Sequence, residues 1–167
     1  MPELSLQERL QPSLLDRLAD DAPEQRRESA NQRVLTAQKL RSCVLRDLTW
    51  LLNSCDLGVR NLRDQYSHVA TSVLNYGVPD FTGLTTSSVD ADELAQLVRQ
   101  AIWNFEPRIR RETLQVRVVA NANQLTTNAL VFEITGDLWA QPVPLELLVK
   151  TEMDLETGNV KVVEYLG

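Results

Sequence analysis

At Pro107 the apolar residues of this chain change their spacing. Before it, Leu94, Leu97, Val98, Ala101, Ile102 and Phe105 recur three and four residues apart, as on one face of a helix. After it, Leu114, Val116 and Val118 alternate with Gln115 and Arg117, the two-residue period of a strand. Helices written first and strands afterwards must bury their stripes against one face of an antiparallel sheet. The expected fold class is therefore α+β, with N-terminal helices packed on a mainly antiparallel sheet of about four strands.

The other elements follow from the same two periods. Leu40, Cys43, Val44, Leu48, Leu51 and Leu52 predict a helix from about Val34 to Asn53, with Lys39, Arg41, Arg46 and Asp47 on its other face. Asp90, with Glu93 three residues on, reads as the N-cap of the second helix, and Pro107 stops it at Glu106. Between these helices a helical piece near Val69–Leu74 is expected, then a loop forced by Gly77, Pro79 and Gly83. Beyond β-periodic Leu114–Val118, the polar run "NANQLTTN" leads to a strand through Leu130, Phe132 and Ile134. "WAQPVP" interrupts, a third strand carries Leu145, Leu147 and Val149, and a hairpin turn at Gly158–Asn159 enters the last strand. Residues 1–30 read as an arm with one short amphipathic helix, and 31–167 as one α+β domain. In the arm, Leu14, Leu15 and Leu18 share a side. They either pack back on the core or anchor in a partner's groove.

Composition narrows the chemistry. The 167 residues carry a net charge of −6, against the clustered Lys and Arg that nucleic-acid binding needs. No run approaches the length of a membrane span and the N-terminus lacks a signal-like apolar segment, so a cytoplasmic protein is expected. Cys43 and Cys55 lack metal-site spacing, and Cys43 falls on the apolar stripe of its helix, as a reduced core thiol would. The single histidine, His68, cannot anchor a histidine-rich metal site, and there is no phosphate-binding glycine loop. No cofactor, metal or small-molecule substrate is expected. Glu106 is the acid in the most suggestive setting for a glycosidase, but no second carboxylate is marked.

The corner "FEPRIRR" poses a local electrostatic problem. Glu106 ends a helix, where the macrodipole presents partial negative charge and disfavours a carboxylate by some tenths of a kcal/mol. Trp103 and Ile102, one turn back, offer no positive charge. Compensation must come from Arg108, Arg110 or Arg111, from elsewhere in the fold, or from another chain. A local Glu106–Arg108 pair that fixes the turn and a rigid recognition corner for a partner are both open on this chemistry.

"LRDLTWLLN", "SVLNYGVPDFTG", "FEPRI" and "MDLETGNV" occur in this order, preceded by "SLLDRLADDAP". In these motifs the chain resembles the TssE family of small type VI secretion baseplate subunits, related to a wedge protein of contractile phage tails and often labelled "lysozyme-like". The resemblance covers roughly residues 30–167 and implies a non-enzymatic structural component rather than a peptidoglycan hydrolase with Glu106 as its acid. A regulatory binding protein of the same fold is the plainer alternative. The resemblance also implies that Glu106, Pro107 and Arg108, with Arg110 beside them, dock on the helical bundle of the wedge subunits TssF and TssG. Leu14, Leu15 and Leu18 join the partner-binding residues. A domain like that of sheath subunits implies a role in starting TssB/TssC sheath assembly, with TssK as a further partner. An open sheet edge, with the last strand as candidate, would accept a strand from another chain.

Overall fold

The computed structural model describes residues 13–18, 24, 36–58, 66, 68–82, 90–119, 129–140 and 144–164. The predicted turn region at 121–128, the helix start at Val34, Gly83, and most of the arm including 25–33 lie outside the described residues.

Helix α1 is Leu14–Leu18 and α2 is Ala37–Leu52. Thr36 starts α2 by accepting the Lys39 N–H on its hydroxyl at 3.1 Å, and the predicted stripe from Leu40 to Leu52 is buried. Helix α3, Ala91–Phe105, begins as expected at Asp90, whose carboxylate accepts the Asp92 N–H at 2.9 Å. Asp92 and Glu93 in its first turn complement the helix dipole. Leu94, Val98, Ala101 and Ile102 face the core, while Leu97 and Phe105 sit at its margin.

Val69–Leu74 departs from the expected helical piece. Its backbone bonds run from Val69 N–H to Tyr66, Ser72 to Val69 and Asn75 to Ser72, each spanning three residues. The result is a series of turns ending in a 3₁₀ turn at Val73–Asn75. A piece this short with β-branched Val69, Thr71 and Val73 does not propagate an α-helix.

Four antiparallel strands form one sheet in the order β1-β2-β3-β4: Gln115–Val119, Ala129–Leu138, Leu145–Asp154 and Val160–Glu164. Phe132, Ile134, Leu138, Leu147, Val149 and Met153 turn inward, and the helices cover that face, α3 along β1 and α2 along β4. This is the α+β arrangement the change of period implies. The β3–β4 turn uses Gly158 at φ +72°, with its N–H on the Asp154 carbonyl at 2.8 Å. At the other margin of β4, the Asn53 amide that follows α2 grips Val160 twice. Its oxygen accepts the Val160 N–H and its nitrogen donates to the Val160 carbonyl, both at 2.9 Å.

Candidate functional site

The corner after α3 is stitched to the sheet. Ile109, fully in the core, bridges Leu138 antiparallel, with Arg110 N–H donating to the Asp137 carbonyl at 2.9 Å and Trp139 N–H to the Arg108 carbonyl at 2.7 Å. These bonds bring Trp139, from the end of β2, beside the Glu106-Pro107-Arg108 turn.

Inside the turn Glu106 is only 3% exposed. Its Oε1 accepts the Arg108 backbone N–H at 3.1 Å and Arg108 Nε at 2.7 Å, and its Oε2 accepts Arg108 Nη2. The charge that the helix end disfavours is thus met within the chain, by a bidentate guanidinium and a backbone donor. It does not wait for another protein. Nor is the pair a surface one worth a few tenths of a kcal/mol, because the carboxylate is out of water. Burial disfavours the charged Arg108, but Glu106 and then Asp47 outweigh it and raise its pKa above the ordinary value.

Asp47 is the residue that sequence reasoning put on the wrong side. It was expected on the polar face of α2, yet its Oδ2 accepts Arg108 Nη2 while its Oδ1 meets Arg46 at 2.7 Å. The signal was present: Asp47 lies four residues after Cys43 and four before Leu51, both on the buried stripe. The alternation continues outward, since Arg46 Nη1 pairs with Asp16 Oδ1 of α1 at 2.8 Å. Five side chains of alternating sign, Asp16, Arg46, Asp47, Arg108 and Glu106, join the arm to the corner.

Asp16 is the anchor of α1. Its side chain is buried, accepts the Ser13 hydroxyl at 2.6 Å, and lies against Cys43. Burial pushes its carboxyl up, but the Ser13, Arg46 and Cys43 contacts more than offset this and hold it below its ordinary value. Burial and then the Asp16 carboxylate push the Cys43 thiol up, consistent with the expected inert, reduced thiol. The leucines of α1 do not pack on the core: Leu14 is 71% and Leu18 73% exposed, and Leu15 is exposed too. Of the two alternatives for this helix, the structure removes the first.

Arg110 and Arg111 separate from Arg108. The Arg110 side chain is exposed and its role is the backbone bridge. Arg111 Nη2 donates to the Trp103 carbonyl at 3.0 Å, placing a cation on the last turn of α3.

A cleft of about 490 Å³ opens over this ladder. Asp47, Glu106 and Arg108 line its floor. Trp50, Tyr76, Phe105, Pro107 and Trp139 supply its walls, and Leu15 with Ser13 closes the side where α1 lies. Trp50 and Trp139 are both about half exposed, and Arg46 stacks on the Trp50 ring at 5.0 Å. Arg108 Nη1 is buried with no acceptor among the described residues. Both oxygens of Glu106 are engaged by Arg108, so the corner presents no free carboxyl to protonate a glycosidic oxygen. Among the described residues no three His, Cys, Asp or Glu side chains converge on a metal position, and no helix is long and apolar enough to cross a membrane. His68 is exposed.

Apart from Ser13 and Leu15, the residues lining the cleft, with the ladder from Asp47 inward and the corner, fall within residues 38–143, which match the family of the baseplate wedge protein gp25. The chain belongs to that family. The match spans more than half of the 167 residues and runs from the start of α2 to just past β2. No match was found among curated proteins or solved structures. The family is one of structural baseplate proteins, which agrees with a corner whose acid is spent on an arginine.

Proposed function

We propose that the chain is a structural subunit of a type VI secretion baseplate wedge and that the cleft over the Glu106–Arg108 corner is where it docks on a helical bundle of TssF and TssG. The observation that carries this reading is the combination of half-exposed Trp50 and Trp139 with a floor locked by ion pairs. Aromatic side chains around a rigid, desolvated centre are the composition of binding hot spots. The corner's charges then act by holding the shape of the cleft, so little is lost in ordering it when a partner arrives. Leu14, Leu15 and Leu18 extend the apolar contact along α1, and Arg110, two residues beyond Arg108, is exposed as a further contact.

In the same reading an open sheet edge receives a strand from the TssB/TssC sheath, with TssK at the periphery of a cytoplasmic assembly. The β1 edge suits this better than the last strand, because Asn53 already occupies both backbone groups of Val160.

The test is co-purification with TssF and TssG. Trp50→Ser and Trp139→Ser alter exposed walls, so they should melt like the parent chain while losing about ten-fold or more of the bound partner. Wild-type recovery of both partners by a folded double variant would refute the docking role. Glu106→Ala is a poorer probe, because the buried carboxylate also holds the corner together.

A further inference from the structure

Four arginines fall between Arg99 and Arg111, in a chain whose net charge is −6. Glu106 is the one acid among them, and it is spent on Arg108 inside the corner. Arg99, Arg110 and Arg111 meet no carboxylate among the described residues. Residues 90–119 are all described, and their other acids, Asp90, Asp92, Glu93 and Glu112, are exposed and pair with none of the three.

Two of these arginines are fixed in place without being neutralised. The Arg99 guanidinium lies over the Trp103 ring, 4.5 Å from its centre. Arg111 reaches back across the corner to the same residue, where its Nη2 holds the Trp103 carbonyl at 3.0 Å. Stacking engages the flat face of a guanidinium and leaves the N–H donors along its edge free. The carbonyl takes one donor of Arg111 and leaves the others. An ordinary surface arginine loses side-chain freedom when it pairs, which cancels most of the gain. Two guanidinium groups already held on the ring and the backbone of one tryptophan have less to lose. Neither arginine lines the cleft over Glu106, nor does Trp103.

We infer that Arg99 and Arg111, set around Trp103, receive a pair of carboxylates from an acidic segment of a neighbouring baseplate protein, as a contact separate from the cleft. A carboxylate fits the free edge of a guanidinium through two parallel hydrogen bonds. A nucleic acid is the poorer occupant, because two cations neutralise few phosphates and the net negative chain repels a polyanion. Arg99 already lies on the indole, so the contact is made at the guanidinium edges and leaves the exposure of Trp103 little changed. This contact rests on membership of the wedge family and not on docking through the cleft, and the variants that test the two share no residue.

The test is zero-length carbodiimide cross-linking of the assembled baseplate carrying Arg99→Lys in the full chain, read by mass spectrometry. The substitution keeps the charge and puts an amine where a partner's carboxylate is expected. The expected product is an amide from position 99 to an Asp or Glu of another baseplate protein, in a segment with a second acid nearby. Its yield should fall about three-fold when Arg111→Gln is added, as the loss of one of two cooperating ion pairs requires. Four results overturn the inference: a yield no higher than from the exposed β4 residue Lys161, attachment confined to this chain or a second copy of it, a yield indifferent to Arg111→Gln, or a product that forms only after nuclease treatment.

Discussion

Replacing Glu106 by alanine leaves Arg108 and Asp47 facing a gap in a partly dry site. Removing one partner of a buried pair is costly because the other charge stays behind, so Glu106→Ala should lose about 3 kcal/mol in denaturant unfolding. A loss below about 1 kcal/mol would mean that the pair behaves as a surface one. Gly77 poses a steric question instead. Gly77→Ala puts a Cβ into the Ser54 carbonyl and forces a positive φ on an L side chain, so a loss of about 2 kcal/mol or more is expected, read as a lowered thermal midpoint. An unchanged midpoint would show that the α2 end and this loop shift apart freely. Residue chemistry alone said that Glu106 needs a cation and named Arg108 among the sources. It could not say that the pair is buried, because burial depends on the end of β2 returning to bond the backbone of Arg108 and Arg110.

At the scale of elements, α1 is held by a carboxylate while its leucines face outward. Asp16 has a folded pKa below its ordinary value, so its share of α1 docking is complete above that ordinary value, 3.8, and fades as pH falls through the lower, folded one. An NMR titration of the Asp16 carboxyl should therefore show a midpoint below 3.8, and a midpoint at or above it would contradict the anchor. Cys43 beneath it supplies a second readout. Thiol alkylation should modify exposed Cys55 first and buried Cys43 about ten-fold or more slowly, with Asp16→Ala narrowing that gap. The two long helices and the first three strands were legible from their apolar repeats, and the last strand from the turn at Gly158–Asn159. Val69–Leu74 was misread because a short polar-apolar mixture fits a helix or linked turns equally well, and the Asn75 clamp that follows it reaches across to Leu57. The link from α1 to α2 was invisible for the same reason: Asp16 and Arg46 meet only in the folded chain.

Across the whole molecule, the helices cover one face of the sheet, and the corner after α3 is where helix ends, sheet and arm converge. The cleft there has an ionic floor satisfied largely from within and aromatic walls left half in water. The three tryptophans of the chain report on it directly, because Trp50 and Trp139 are walls and Trp103 is not. Hydroxyl-radical footprinting of the chain alone and of the chain within its wedge complex measures the central claim residue by residue. Oxidation of Trp50 and Trp139 should fall about five-fold or more on assembly while that of Trp103 changes little, as expected for aromatic anchors at the centre of an interface. Equal oxidation of Trp50 and Trp139 in the two states would contradict docking through this cleft.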